Sequence, residues 1–232
     1  MDESDILLTT SVEDTHWWYR ERRHIIAREL KRIGKPGRAI ELGAAGGGNS
    51  LTLQRMGWDV LATEYLPTGV EVAKSRGLNA IQADARKLPV DSQAFDLLVA
   101  FDVLEHIEED YLAAGEIFRV LKPGGTALIA VPCDMALWSD HDVASGHYRR
   151  YTRETLHALI SGAGLQVETL WSWNVLLRPV VAMRRKQSSG SDVTDVHPLV
   201  NFGLETIVKL ERYLPVKSRR GVSLMLRARR PS

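Results

Sequence analysis

Residues 38–49 read Arg38-Ala-Ile-Glu-Leu-Gly-Ala-Ala-Gly-Gly-Gly-Asn49, and this stretch decides how the chain folds. A short apolar run ends at the acid Glu41, glycines dominate from Gly43 to Gly48, and helical spacing resumes at Ser50. That order predicts a strand, a tight turn and a helix. Glycine permits positive φ angles and close approach of the backbone to a ligand, and the start of a helix offers unpaired N–H groups. We therefore expect a flat, polar ligand over this turn.

The acid before the glycines distinguishes two kinds of nucleotide site. Dinucleotide-binding turns use the spacing G-x-G-x-x-G and place a diphosphate at the helix N-terminus. Here Gly43, Ala45 and Gly47 follow Glu41 at every second residue. A carboxylate at the strand end would repel a diphosphate and attract an ammonium group. The arrangement resembles the first motif of the class I S-adenosylmethionine-dependent methyltransferases, acid-x-Gly-x-Gly-x-Gly, with Ala45 in place of the middle glycine.

Acids also end the next two predicted strands. Glu64 lies about 20 residues after Gly43, the spacing at which a carboxylate meets ribose hydroxyls. Nicotinamide and adenosylmethionine enzymes both need that contact, and a solvated acid at a strand end is the alternative. In the methyltransferases that this chain resembles, an Asp at the position of Asp84 accepts a hydrogen bond from the adenine amino group. The backbone N–H of the next residue, here Ala85, meets a ring nitrogen in that family.

The resemblance continues to residue 131 through three further elements. They are Phe95-Asp96, Leu104-Glu-His106 and Leu121-Lys-Pro-Gly-Gly125. The stretch is most similar to the quinone-biosynthesis, type 11-like, small-molecule methyltransferases. The resemblance implies S-adenosylmethionine as the cofactor and these residues as its contacts: Tyr19, Arg20, Arg23, Glu41, Gly43, Ala45, Gly47, Glu64, Tyr65, Asp84, Ala85, Phe101 and Asp102.

A dense aromatic and basic cluster opens a helical pattern that covers residues 11–33. Two interpretations remain open for it. Trp17 and Trp18 could pack the helix onto the core while the arginines are solvated. Alternatively, the helix is a lid over the cofactor, as in related methyltransferases, with Tyr19 or an arginine near the cofactor carboxylate. Arg20 and Arg23 are the candidate arginines.

Asp102, Glu105 and His106 have i, i+3, i+4 spacing, so one helical face could carry all three. In the quinone-biosynthesis O-methyltransferases the corresponding residues have been assigned to a divalent metal. Most methyltransferases with a Leu-Glu-His element use no metal, and hard cations prefer more oxygen ligands than this cluster supplies. We therefore expect no metal and retain His106 as a candidate general base.

Residues 132–151 follow the fifth predicted strand, where parallel sheets place a substrate crevice. This long predicted loop is dense in His, Arg and aromatic residues. His141 or His147 could take a proton from a hydroxyl or an amine, and Arg149 and Arg150 could hold an acidic group. Structural or solvated roles are the alternative for each of them.

We expect an α/β fold with a doubly wound, seven-stranded, mostly parallel sheet and four regions. Residues 1–36 form an N-terminal helical lid, and 37–171 form the cofactor-binding core. Residues 172–220 are a helical insertion, in which two apolar stretches flank a polar linker, Arg184 to Asp192; packing over the substrate is the default role, and a dimer or membrane-surface contact is the alternative. Residues 221–232 supply a final strand, antiparallel beside the sixth.

Composition limits the partners of this 232-residue chain. A net charge of +1 gives no bulk electrostatic case for nucleic acid or an anionic membrane, and Cys133 alone excludes an internal disulfide. The N-terminus lacks the order of a signal peptide, and no apolar run reaches the ~20 residues that span a bilayer. We expect a cytoplasmic protein that acts on a small molecule, with a homodimer possible.

The expected reaction is methyl transfer from S-adenosylmethionine to a hydroxyl or amine of a small molecule, by direct displacement at the methyl carbon. Positioning, desolvation and deprotonation of the acceptor would be the tasks of the protein. Two alternatives stay open. One is a nicotinamide-dependent oxidoreductase, disfavoured by Glu41 and Asp84. The other is a non-catalytic module that binds S-adenosylmethionine.

Overall fold

A computed structural model of the chain describes residues 3–185 and 196–232, and their strands form one seven-stranded sheet. The order across the sheet is β3-β2-β1-β4-β5-β7-β6, and only β7 runs antiparallel to its neighbours. The doubly wound, mostly parallel sheet predicted from sequence is confirmed. The strands are β1 Arg38–Leu42, β2 Asp59–Glu64, β3 Asn79–Gln82, β4 Phe95–Phe101, β5 Leu121–Pro132, β6 Gln166–Trp173 and β7 Ser223–Arg229.

Helices cover both faces of the sheet, so its central strands are apolar on both sides. Ile40 and Leu98 face one layer of the core, which Ile117 completes, while Ala39 faces the other layer with Ile26. The helices are α1 Glu3–Val12, α2 Trp17–Ile33, α3 Gly48–Arg55, α4 Pro67–Ser75, α5 Asp110–Val120, α6 Asp140–Ala144, α7 Arg153–Gly162, α8 Arg178–Arg185 and α9 Pro198–Glu211.

The strand order reverses at β1, which lies between β2 and β4. Such a switch point opens a crevice at the carboxyl ends of the two strands. The glycine turn follows β1 directly, and Asp102 follows β4. The fold thus places the two stretches that sequence analysis singled out at the same edge of the sheet.

Two local predictions are wrong. The helical pattern of residues 11–33 is two helices, because α1 ends at Val12 and α2 begins only at Trp17. Residues 104–106 form a single 3₁₀ turn after a positive φ of 57° at Asp102. Asp102, Glu105 and His106 therefore do not share a helical face.

The last strand follows the sequence prediction, since β7 pairs antiparallel with β6 and also with β5. Helices α8 and α9 come from the predicted insertion. Most of the predicted polar linker, from residue 186 onward, lies outside the described residues. Across 3–185 and 196–232, no helix combines the length and apolar character that a bilayer crossing requires.

Candidate functional site

A cavity of about 300 Å³ lies at the carboxyl ends of β1 and β4. The glycine turn forms its floor, and α1 and α2 form one wall. The segment after β5 and helices α8 and α9 form the opposite wall. Side chains from these parts include Tyr19, Arg22, Asn49, Asp102, Glu105, His106, His141, His147, Arg150, Leu177, Val180 and Leu204.

The turn needs glycine at Gly43, where φ is 64° and an added Cβ would lie 2.6 Å from a methyl of Val103. Gly47 caps α3 with a φ of 84°. Ala45 adopts a φ of 45°, and its N–H donates to Glu64 at 2.8 Å. Gly43, Ala45 and Gly48 line the cavity, whereas Gly47 does not. The replaced middle glycine thus keeps a left-handed backbone.

Glu41 lies behind the turn and is 1% exposed. Its carboxylate accepts hydrogen bonds from the amide of Asn49 at 3.0 Å and from the hydroxyl of Ser50. Burial raises the pKa of Glu41 to about 7, although the two hydrogen bonds oppose that shift. The structure therefore separates Glu41 from the cavity by Asn49, which itself lines the wall.

The acid that ends β2 is bound by the backbone. Glu64 accepts N–H groups from Ala45 at 2.8 Å and from Tyr65 at 2.7 Å, which fixes the turn and the start of α4 together. The ring of Tyr65 is exposed. Neither residue lines the cavity, which ends at Ala45 on this side.

Asp84 lies further along the same edge and pairs with Arg86. The guanidinium contacts the carboxylate through Nε at 3.1 Å and Nη2 at 2.8 Å. This contact holds the pKa of Asp84 below its usual value. Ala85 packs against the core beside it. Sequence analysis did not assign a role to Arg86, which also pairs with Glu109 at 3.0 Å.

Arg22 is a buried cation at the cavity, with 3% of its side chain exposed. Its guanidinium lies 4.9 Å from the ring centre of Phe101 and 5.5 Å from that of Trp18. Asp102 forms an ion pair with it. Within the described residues, neither Nη atom has an aligned hydrogen-bond acceptor. A buried cation without aligned acceptors is costly, so this geometry fits an anionic group in the cavity.

The two arginines favoured by sequence lie elsewhere. Arg20 pairs with Glu205 of α9 at 3.0 Å, and Arg23 donates to the carbonyl of Glu13 at 2.6 Å. Neither lines the cavity. Tyr19 does line it, and its hydroxyl lies 3.3 Å from that of Thr9 on α1. Burial raises the pKa of Tyr19.

All three candidate histidines reach the cavity. The His147 ring centre lies 4.6 Å from that of His106 and 6.0 Å from that of His141. Nδ1 of His147 lies 2.8 Å from a carboxylate oxygen of Asp142, which is fully buried. The same oxygen accepts Nε–H of Arg150 at 2.8 Å. Asp142 therefore contacts Nδ1 of His147, and this contact does not occupy the second ring nitrogen, Nε2.

Glu105 is fully buried, and no hydrogen-bond partner for its carboxyl oxygens lies within the described residues. Burial, with the charge of Asp102, raises its pKa well above the usual value. Burial and the neighbouring His147 lower the pKa of His106 to about 3. At neutral pH the cavity thus holds a neutral His106 beside Glu105, whose burial favours the protonated form.

The trio considered for a metal is not brought together, because Asp102 pairs with Arg22. A different group, Glu105 with His106 and His147, has one possible ligand atom from each residue within 4.8 Å of the others. Two further loop residues have structural roles. Arg149 pairs with Asp110 at 2.8 Å, and burial raises the pKa of Cys133 to about 12, which makes its thiol a poor nucleophile.

The sheet order, the turn after β1 and the cavity beside it define the class I methyltransferase architecture. A solved S-adenosylmethionine-dependent methyltransferase from Mesorhizobium loti has this fold, with a TM-score of 0.64 and 16% identity over 94% of this chain and 100% of that one. The methyltransferase domain family matches residues 15–170, more than half of the chain. The chain belongs to that family, as its sequence motifs indicated.

Curated relatives carry the cofactor in their names. A Mycolicibacterium smegmatis protein named "Probable S-adenosylmethionine-dependent methyltransferase" is 25% identical over 160 residues, 67% of this chain and 62% of that protein. The ubiquinone biosynthesis O-methyltransferase of Xanthomonas campestris pv. campestris is 31% identical over 107 residues, 43% of this chain and 45% of that enzyme. The match thus spans about three fifths of the first relative and under half of the second. The expected family and its cofactor, S-adenosylmethionine, are confirmed, and nothing in these relatives favours a nicotinamide enzyme.

Proposed function

We propose that the chain transfers the methyl group of S-adenosylmethionine to a small-molecule hydroxyl or amine in this cavity. The bound cofactor supplies a methyl group on a positively charged sulfur, which is already an activated leaving group. The observation that carries the proposal is the buried guanidinium of Arg22 at the cavity, which pairs with Asp102 and whose Nη atoms have no aligned acceptor within the described residues.

The residues around the turn fit the two ends of the cofactor differently. Arg22 and the N–H groups of the turn suit its carboxylate, while Asp102 and Asn49 suit its ammonium group. Glu64 and Asp84 lie along the same edge and suit the ribose and the adenine. Their carboxylates already accept donors from the protein, so they would share these acceptors with the cofactor. Arg22 replaces Arg20 and Arg23 in this assignment.

The acceptor end of the cavity can remove a proton. His147 has Nδ1 held by Asp142, so its Nε2 is the free acceptor for a proton from a substrate hydroxyl. Asp142 stabilises the imidazolium that results. Glu105 in its protonated form can donate a hydrogen bond to an acceptor oxygen, and His106 and His141 shape the space around it. A hydroxyl gains more from this arrangement than an amine that is already neutral.

Calorimetric titration tests the cofactor assignment first. We expect S-adenosylmethionine and S-adenosylhomocysteine to bind the wild type, NAD not to bind, and Glu64→Ala to weaken both ligands by about 10-fold or more. Binding of NAD alone would refute the proposal. A protein that binds S-adenosylmethionine but forms no S-adenosylhomocysteine with a library of phenols, alcohols and amines would be the non-catalytic module.

The base is tested once an acceptor is found. His147→Gln should lower kcat by about 10²-fold or more and leave cofactor affinity unchanged, because general bases contribute on that scale. His157→Gln is the matched control, since His157 is exposed on α7. A His147→Gln enzyme with wild-type kcat across pH 6–9 would remove His147 from the mechanism.

A further inference from the structure

Helix α9 is packed with its charged side toward the protein. Glu205 is 7% exposed and pairs with Arg20, while Glu211 is 4% exposed and accepts the N–H groups of Val175 and Leu176 at 2.7 and 3.0 Å. Asn201 accepts the N–H of Trp17 at 2.9 Å. Polar contacts thus fix part of the buried face of this helix, beside the apolar contacts that Leu204, Ile207 and Val208 make with Trp17 and Leu177.

The outward side of α9 is apolar. Leu199 is 76% exposed, Phe202 70% and Leu210 56%, and Tyr213, two residues past the helix, is 84% exposed. Spacings of three, eight and three residues place these side chains along one side of the helix. We call these four residues the α9 stripe. A row of large exposed apolar side chains is uncommon on a monomer and marks an interaction surface.

Charge identifies the kind of partner. Residues 172–220 contain nine Lys and Arg but only four Asp and Glu, a net charge of +5, while the whole chain carries +1. Three of these bases, Arg178, Arg185 and Arg212, pair with acids outside the segment. The two acids of α9 itself are buried, as described above. Lys217, Arg219 and Arg220 follow the helix and are exposed. Apolar residues on one side of a short helix, with basic residues close by, are typical of helices that lie on anionic lipid.

The same helices form a wall of the cavity. Leu204 of α9 and Val180 of α8 line it, and Val180 is also 49% exposed. The apolar lining of the cavity and the apolar outer surface therefore belong to the same two helices. An acceptor with an apolar tail could reach the cavity from a lipid surface without crossing much water.

We propose that the α9 stripe and the basic residues after it dock the protein on the surface of an anionic lipid bilayer. The helix lies in the plane of the interface, because its 14 residues are too few to span a bilayer. The stripe supplies burial among the lipid chains, and Lys217, Arg219 and Arg220 supply attraction to the headgroups. This docking does not depend on the reaction proposed above.

Vesicle flotation tests the docking with full-length protein. We expect wild type to float with phosphatidylcholine vesicles containing 30 mol%, roughly a third, phosphatidylglycerol, and to do so at least about 10-fold less with phosphatidylcholine alone. Phe202→Ser/Leu210→Ser should lower the binding about 10-fold or more. Its matched control is Tyr111→Ser/Leu112→Ser, which removes two exposed apolar side chains from α5.

A charge reversal separates the two contributions. Arg219→Glu/Arg220→Glu should weaken binding to anionic vesicles, whereas Lys74→Glu on the exposed side of α4 should not. Circular dichroism and thermal unfolding verify that each variant is folded. Equal flotation of wild type and the stripe variant would overturn the proposal. So would a protein that ignores vesicles but forms a dimer lost in Phe202→Ser/Leu210→Ser, since the stripe would then bind a second copy.

Discussion

The two ends of the cavity are built in different ways. At the proposed cofactor end, the shape of the cavity depends mainly on the backbone. The turn after β1 and the backbone N–H groups that donate to Glu64 fix it. At the proposed acceptor end, side chains form charged contacts with one another. Asp142 holds His147 and Arg150, and Asp134 pairs with Arg178 of α8. The first end depends on strand spacing, and the second depends on buried ion pairs.

Because of this difference, the two ends of the cavity should tolerate side-chain substitutions differently. A backbone turn tolerates changes of side chain wherever φ permits them, as Ala45 shows at a φ of 45°. A buried ion pair does not, because removal of one partner leaves the other charged and desolvated. We therefore expect substitutions at the acceptor end to affect stability most, and substitutions at the cofactor end to affect binding most.

The largest effect is expected at Asp142. Asp142→Ala would leave Arg150, whose side chain is 1% exposed, without its carboxylate partner. Loss of one member of a buried ion pair costs about 3–5 kcal/mol of unfolding free energy. Chemical denaturation measures that loss. Asp140→Ala, two residues earlier at an exposed site of α6, is the control and should cost less than about 1 kcal/mol. A small effect at Asp142 would mean that the acceptor end is not held by its ion pairs.

Glu41 gives the cofactor end a pH dependence. Its pKa is about 7 in the folded protein and 4.5 in a model compound, so folding favours its protonated form. The resulting stability is fully present below pH 4.5 and is lost as the pH rises through 7, a change of about 3 kcal/mol.

Glu41→Gln should therefore flatten the decline in unfolding free energy between pH 5 and pH 8. Denaturation of the wild type and the variant at each pH measures the difference, and Glu105 cancels because both proteins contain it. Parallel curves for the two proteins would show that Glu41 is ionised throughout, as an ordinary surface acid is.

The smallest expected change is in the free energy of cofactor binding, and it distinguishes Arg22 from Arg20 on α2. Arg22→Met should weaken S-adenosylmethionine binding by about 10- to 100-fold, the range for a hydrogen bond to a charged group. Arg20→Met removes the same group from a site outside the cavity, and we expect its affinity within about threefold of wild type. Calorimetry measures both. The reverse order would return the carboxylate contact to Arg20, one of the two candidates from the sequence analysis.

Strand-based features could be predicted well from sequence. An apolar run that ends in an acid fixes both a strand and the edge at which its last side chain emerges, so Glu41, Glu64 and Asp84 were placed along one edge. The antiparallel final strand was also predicted. Whether these residues hold the cofactor stays a prediction, since the structure shows them bonded to the protein itself.

The buried face of α2 and the contacts of Asp142 were harder to predict from sequence. Arg22 lies four residues before Ile26 and eight before Leu30, so the helical period already placed it on the buried face. Because α2 contains several arginines, the sequence analysis did not distinguish Arg22 from the others. The pairing of Asp142 with His147 and Arg150, five and eight residues further on, follows no helical or strand period, because its geometry depends on the segment between α6 and α7. Such contacts become visible only in three dimensions.

The position of β7 between β5 and β6 has a consequence for folding on the ribosome. A growing chain releases β6 before β7, and β6 pairs with β7 alone among the described strands. Val222 and Ser223, which lead into β7, also line the cavity. Closure of the sheet and completion of the pocket therefore await the same late segment of the nascent chain. A ribosome stalled before residue 222 would hold a chain with a partly formed sheet and an incomplete binding site.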